Sequence, residues 1–244
     1  MKHLPIDNMR FFFATAPLPC PYLPGRVERR VVTELVGRSA AALHDSLSHA
    51  GFRRSHRIVY APACPGCNAC VAVRVIVPEF QASESQRRVW NASPGVRVAE
   101  TTATATEEQY GLFAAYQNSR HAQGDMAKMD LLDYQALVED TVVDTFIAEF
   151  RESDGRLIAA CLTDRLKDGL SAVYSFFDPN LARRSLGTYM ILWLIRRAEE
   201  LGLPYVYLGY WIEDCKKMSY KAKFRPIEAV GPDGWVRMPD GPED

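Results

Sequence analysis

Three cysteines at two-residue spacing, Cys64-Pro-Gly-Cys67-Asn-Ala-Cys70, form the densest group of reactive side chains in the sequence. Thiolates so spaced can converge on one metal, as in zinc and iron–sulfur sites. A fourth ligand is needed, and Cys20 is the candidate; zinc and iron–sulfur both stay open. The plainer reading is a tight turn with buried thiols. Basic clusters come next: Arg53, Arg54, His56 and Arg57; Arg87 and Arg88 beside Trp90; and Lys216, Lys217, Lys221, Lys223 and Arg225 with Tyr220 and Phe224 between them. Aromatics among cations suit a single-stranded nucleic-acid end, where bases stack and phosphates pair. Any one cluster alone is better read as a solvated face. Finally, Arg183-Arg184-Ser185-Leu186-Gly187-Thr188-Tyr189 precedes a long apolar run. If a helix starts there, its free N–H groups and dipole favour phosphate, and Gly187 lets a backbone approach.

These groups need elements to hold them. The 244 residues are enough for one large domain or two small ones, and 48% hydrophobic with 24% charged is ordinary globular composition. No apolar run is long enough to span a bilayer, and Met1 to Phe13, with Lys2, Asp7 and Arg10, is a poor signal peptide. A cytoplasmic protein with reduced thiols is expected. The net charge of −1 hides an asymmetry. Residues 1–98 carry 13 Lys/Arg and 6 Asp/Glu, a balance of +7, and the rest carry 16 and 24, a balance of −8. A basic half beside an acidic half suggests that the first faces a polyanion.

Along the chain, four prolines make Ala16–Gly25 rigid and non-helical. Helices are expected over Val27–Val36, with Gly37 as its stop, and over Ala40–His49. Strands are expected at Arg57–Tyr60 and Val71–Val77, with the cysteine loop between them. Residues 92–106 read as a seam between halves, dividing the chain into 1–98 and 99–244. Thr106 and Gln109 fit a capping box that starts a helix to about Arg120, and a second helix is expected over Leu131–Val142. Strands Asp144–Phe150, Leu157–Leu166 and Leu170–Phe177 follow, separated by Asp154-Gly155 and Asp168-Gly169 turns. A helix over Leu186–Leu201 and a strand at Pro204–Leu208 complete an α/β or α+β layer.

The position of Arg184-x-x-Gly187, after three strands and before a helix and strand, resembles the acyl-carrier loop of the GNAT acyltransferase fold. Tyr189 stands where that pattern has a small residue. Longer blocks resemble the arginyl-tRNA–protein transferases and their bacterial relatives: Cys20-Pro-Tyr-Leu-Pro-Gly-Arg-Val-Glu-Arg29, Tyr60 to Arg74, Ser85-Gln-Arg-Arg88, Asp168 to Pro179, Arg184-Ser-Leu-Gly187, Tyr207-Leu-Gly-Tyr-Trp-Ile212 and Met218-Ser-Tyr-Lys-Ala-Lys-Phe224. They cover nearly the whole chain in order. The resemblance implies a GNAT-like fold with a cysteine-containing N-terminal region, and it allows a duplicated GNAT arrangement.

It implies further that an amino acid passes from charged tRNA to the α-amine of a protein with N-terminal Asp or Glu, marking that protein for degradation under the N-end rule. The short bacterial form implies leucine as donor, and other relatives transfer arginine. The ester is already activated, so transfer requires no cofactor; zinc or an iron–sulfur cluster at Cys20, Cys64, Cys67 and Cys70 is a separate question. Within this reading Arg26, Arg74 and Arg88 are candidates for the acceptor's carboxylate. Glu28, Asp178 and Tyr207 are candidates for the base, and Arg184, Gly187, Lys221 and Lys223 for the tRNA end. Two rivals remain: an acyl-CoA-dependent N-acetyltransferase and a non-catalytic zinc protein that binds nucleic acid.

Overall fold

A computed structural model describes residues 10–239. The leader reading over Met1 to Phe13 falls largely outside them. The chain runs β1 (Phe13–Ala14), β2 (Leu18–Pro19), β3 (Val27–Glu28), β4 (Arg30–Glu34), α1 (Ala40–His49), β5 (Arg53–Ser55), β6 (Ile58–Pro62) and β7 (Val71–Ile76). It continues as α2 (Glu84–Asn91), β8 (Arg97–Thr102), α3 (Glu107–Arg120), α4 (Leu131–Glu139), β9 (Thr145–Arg151), β10 (Leu157–Leu166) and β11 (Gly169–Phe177). It ends with α5 (Leu186–Glu200), β12 (Tyr205–Trp211), α6 (Lys216–Ser219), β13 (Ile227–Gly231) and β14 (Gly234–Arg237).

Eight strands form one sheet, ordered β14-β13-β7-β12-β11-β10-β9-β8. Strand β10 is buried along almost its whole length, as its unbroken apolar run Leu157–Leu162 requires of a strand covered on both faces. One face packs on α5 through Leu186, Met190, Leu194 and Ala198. The other packs on α3 and α4 through Phe113, Tyr134, Leu137 and Val138. Within this sheet β11 and β12 pair in parallel, with α5 as their crossover. They pair only from Gly169 to Ser171 against Tyr205 to Tyr207, then part. A bulge in the β12–β7 ladder between Tyr207 and Gly209 adds local bending there.

The first half builds a smaller antiparallel sheet, β1-β4-β6-β5, and sends β7 into the large one. A buried ion pair fastens the two sheets. Arg54 of β5 forks onto Asp164 of β10 at 2.6 and 2.7 Å, and Thr145 donates to the same carboxylate at 2.8 Å.

The helix expected over Val27–Val36 is instead strands β3 and β4. Val31, Val32 and Thr33 are β-branched, and β4 pairs with β6 residue for residue from Arg30 to Glu34. The supposed seam contains β8, which pairs with β9 over Arg97–Thr102, so position 98 lies inside a strand of the large sheet. Helix α2 was not anticipated, although Ser83 and Gln86 form a complete capping box at its start. The box at Thr106 and Gln109 is present as expected and opens α3. Among the described residues no helix is long and apolar enough to cross a membrane.

Candidate active site

The parting of β11 from β12 leaves strand carbonyls without a ladder partner, and a side chain of the smaller sheet meets them. Arg53, at the start of β5, donates to Ala172 O at 2.5 Å and to Val173 O at 3.4 Å. Its guanidinium lies on Gly209 of β12, where a Cβ would stand 2.6 Å from Arg53 Cζ. Gly209 has φ +76°, so the turn of the strand and the close approach both require glycine. Arg53 Nη1 is buried without a hydrogen-bond partner.

Beside it lies Lys221, 8% exposed, whose ammonium donates to Tyr210 O at 2.6 Å and to Met218 Sδ at 3.5 Å. Burial, then the charge of Arg53, lowers Lys221 to about 7. Tyrosines crowd the same region. The Tyr210 hydroxyl shares its one proton between Tyr60 O and Gly51 O, and burial raises the phenol of Tyr22 to about 12.

The N-terminal signature and the cysteine loop meet this cleft. Leu23, Ile212 and Cys215 form a small core against which Cys20, Tyr22, Cys70 and Met218 pack. Glu28 pairs with Arg30 at 2.7 Å, and Arg30 lies over the Tyr60 ring. Arg26 donates to Cys67 Sγ at 3.0 Å. The Ala69 N–H, then Arg26, hold the Cys67 thiol below its usual range. Cys70 is pushed up to about 11, by burial first and then by Cys20, Cys64 and Cys67. The four thiols are therefore close enough to feel one another's charge. Even so, among the described residues no three His, Cys, Asp or Glu side chains are placed to hold a metal ion.

Arg74 and Tyr207 belong to a second network, at the starts of β11 and β12. Arg74 donates to Glu228 at 2.7 Å and to the Tyr207 hydroxyl at 3.0 Å, and lies over the rings of Tyr205 and Trp235. Tyr207 in turn donates to Asp168 at 2.9 Å, and His49 lies 3.6 Å from that carboxylate. Burial, then Asp168, raises the Tyr207 phenol, which stays protonated at neutral pH.

The remaining expected residues lie around α5 and α2. Asp178 accepts from Asn180 N and from Arg156, both at 2.9 Å, so it caps the turn before α5. Arg184 pairs with Glu152 and donates to Ser93 at 3.2 Å. Gly187 lies in the first turn of α5, where a Cβ would only touch Phe177. Arg88 pairs with Glu84 on an exposed face of α2. Lys223 joins α2 through its carbonyl, which accepts from Gln86 at 3.0 Å. Glu28, Arg26, Lys221 and the N-terminal-half cysteines thus gather around the small core of Leu23, Ile212 and Cys215, and the others do not. Sequence reasoning placed Arg53 only in a basic cluster and missed Tyr210. The unusual Gly209 beside Tyr210 was the signal that could have found both.

Comparison with known proteins follows the same division of the chain. Residues 18–88 match the family model described as "Arginine-tRNA-protein transferase, N terminus", and residues 108–231 match its C-terminal counterpart. A protein of Paramagnetospirillum magneticum named aspartate/glutamate leucyltransferase is 57% identical over 241 residues, 99% of each chain. One of the same name from Granulibacter bethesdensis is 52% identical over 231 residues, 95% of this chain and 86% of that one. Among solved structures, the C-terminal DUF2156 domain of an Agrobacterium fabrum protein, described as a lysylphosphatidylglycerol synthetase, superposes with a TM-score of 0.51 at 12% identity. The match covers 84% of this chain and 65% of that one, a likeness of fold alone.

Proposed function

The chain belongs to the arginine-tRNA-protein transferase family, and on that premise we propose that it moves leucine from Leu-tRNA to the α-amine of proteins beginning with Asp or Glu. The observation that carries this is the end-to-end likeness to relatives named aspartate/glutamate leucyltransferase. The fold is GNAT-like. A duplicated arrangement is not shown: besides β7, the first half builds a separate antiparallel sheet, β1-β4-β6-β5, and a short β2-β3 pair. The products would be marked for N-end-rule degradation, in the cytoplasm where charged tRNA is made.

The reaction is aminolysis of an ester. The acceptor amine loses a proton and attacks the aminoacyl carbonyl carbon. A C–N bond forms, the bond to the ribose oxygen breaks, and that oxygen takes up a proton. The protein must align two ends and stabilise the oxyanion; the ester supplies the driving force. Of the three base candidates, Glu28 lies beside the cleft. Asp178 is occupied by Arg156 and its own turn, and Tyr207 by Arg74 and Asp168. Arg26, Arg74 and Arg88 would each have to leave a partner to meet an acceptor carboxylate. The start of α5, with Gly187 and Arg184, and Lys223 near α2 are the surfaces we assign to the tRNA end.

The deciding assay offers Leu-tRNA, Arg-tRNA and acetyl-CoA separately to the protein with an Asp-starting peptide. Leucine should appear on the peptide. Arginine alone would select the arginyl donor, and acetylation without tRNA would sink the reading.

We also propose that Cys20, Cys64, Cys67 and Cys70 take up zinc or an iron–sulfur cluster, fastening the N-terminal signature to the cysteine loop. The four thiols sense one another's charge, and although no three of them are placed to hold an ion among the described residues, four sulfurs drawn together would supply the donor set of either group. Elemental analysis of anaerobically purified protein should find metal at a fixed ratio to chain. Metal-free protein that is active and stable would reject the site.

A further inference from the structure

Two basic side chains lie side by side, and among the described residues no ion pair with Asp or Glu balances them. Lys221 is inside the protein, and its partners are a carbonyl and a thioether. Arg53 is spread over two carbonyls and keeps a buried N–H group with no partner. Among the described residues neither cation forms an ion pair with Asp or Glu. Buried Arg and Lys are normally paired, because an unpaired charge loses its hydration for nothing in return. The two buried arginines obey this rule, Arg54 with Asp164 and Arg74 with Glu228, whereas Arg53 is half-buried with its Nη1 enclosed and unpartnered. An adjacent unpaired couple at a strand parting is a site prepared for an anion that arrives with substrate.

We propose that Arg53 and Lys221 form the subsite for the side-chain carboxylate of the acceptor's N-terminal Asp or Glu. This rests on the transferase reading above and moves Lys221 from the tRNA end to the acceptor. The planar fork of Arg53 and the point charge of Lys221 suit one carboxylate. The surroundings favour a carboxylate over a phosphate of the tRNA chain. Arg53 lies at the parting of two strands and Lys221 on the Tyr210 carbonyl beside it, whereas a polynucleotide backbone needs an open basic groove. The first residue of a peptide enters such a parting with only its own side chain. Binding supplies the missing counter-charge, so the same contact that selects Asp and Glu also relieves an electrostatic cost of the empty protein.

The test measures leucyl transfer to peptides beginning with Asp, Glu and the neutral near-isostere Asn. Lys221→Met should raise KM for the Asp and Glu peptides at least about 30-fold, the loss expected when one member of a desolvated charge contact is removed. The preference for Asp and Glu over Asn should therefore collapse, with KM for Leu-tRNA moving far less than KM for the acceptor. Arg53→Lys keeps the charge but loses the fork, and should fall between the two; it carries the test if Lys221→Met does not fold. A raised KM for Leu-tRNA with an unchanged acceptor KM would overturn the proposal in favour of a phosphate contact. An equal fall in kcat for Asp and Asn peptides would overturn it in favour of a role in the chemistry. Calorimetric titration with the peptides alone separates this from failure of the transferase reading. Asp peptide that binds the wild type better than Asn peptide, and loses that advantage in Lys221→Met, supports the subsite even if no leucine is transferred. Equal binding of both overturns it.

Discussion

Replacing Asp164 with alanine is expected to destabilise the protein by about 3–5 kcal/mol, the cost of stranding a buried charge. Both members of the pair are almost wholly buried, with side chains 0% and 1% exposed for Asp164 and Arg54. The fork of Arg54 takes both carboxylate oxygens, and Thr145 also donates to one of them. Removing the carboxylate leaves a guanidinium that water cannot reach. His44, 3.4 Å from the carboxylate, cannot compensate, because a histidine carries no negative charge in either protonation state. In a chain of this size that loss lowers the thermal midpoint by roughly 6–20 °C. The joint replacement Arg54→Met with Asp164→Leu should recover much of the loss, since the desolvation cost disappears with both charges. Because the pair joins β5 to β10, the damage should appear first as loosening of the smaller sheet, visible as faster amide exchange in β4 to β6 than in β9 to β11. A single-variant loss below about 1 kcal/mol would mean that the sheets do not depend on this contact.

The second half of the chain was the more legible one, for physical reasons. Strands β9, β10 and β11 are joined by Asp-Gly turns, α3 and α4 begin at capping boxes, and α5 carries one apolar stripe, so these local signals agree with the tertiary packing. The first half gave weaker signals. Residues Val27–Val36 have a length and a glycine stop that fit a helix. What makes them strands is pairing with β6, nearly thirty residues on, which no local window contains. Strand β8 was read as a seam because Thr101 to Thr106 is simple in composition, yet Val98 and Glu100 alternate toward β9. The site was legible as a set of blocks and not as an arrangement. The signature at Cys20–Arg29, the cysteine loop and the Met218–Phe224 segment do gather around one cleft. Position in a signature could not distinguish an arginine that meets substrate from one such as Arg74, which holds Glu228 and Tyr207 in place. That distinction depends on who the partner is, and partners are set by the fold.

Gly209→Ala is expected to disable the protein while leaving it folded. At φ +76° an alanine is strained by about 1–2 kcal/mol. Its Cβ would lie 2.6 to 2.8 Å from Arg53 Cζ, Nη1 and Nε, too close to coexist. The obstructing atoms are the far end of a flexible side chain, so Arg53 withdraws and the strand stays. Its bonds to Ala172 O and Val173 O are then lost, and the cleft loses one of its two cations. A displacement of an ångström or more at a substrate-positioning group costs on the order of 100-fold in turnover, which is the fall expected in kcat/KM for the acceptor. Gly202→Ala isolates the backbone term. It has nearly the same φ, +68°, but a Cβ there meets nothing within 4 Å. It should lose similar stability and keep full turnover. The comparison therefore separates strain from the seat of Arg53. If Gly209→Ala retains acceptor kcat/KM while Gly202→Ala behaves as described, Arg53 is dispensable where it sits, and the acid preference of the protein must be set by another cation.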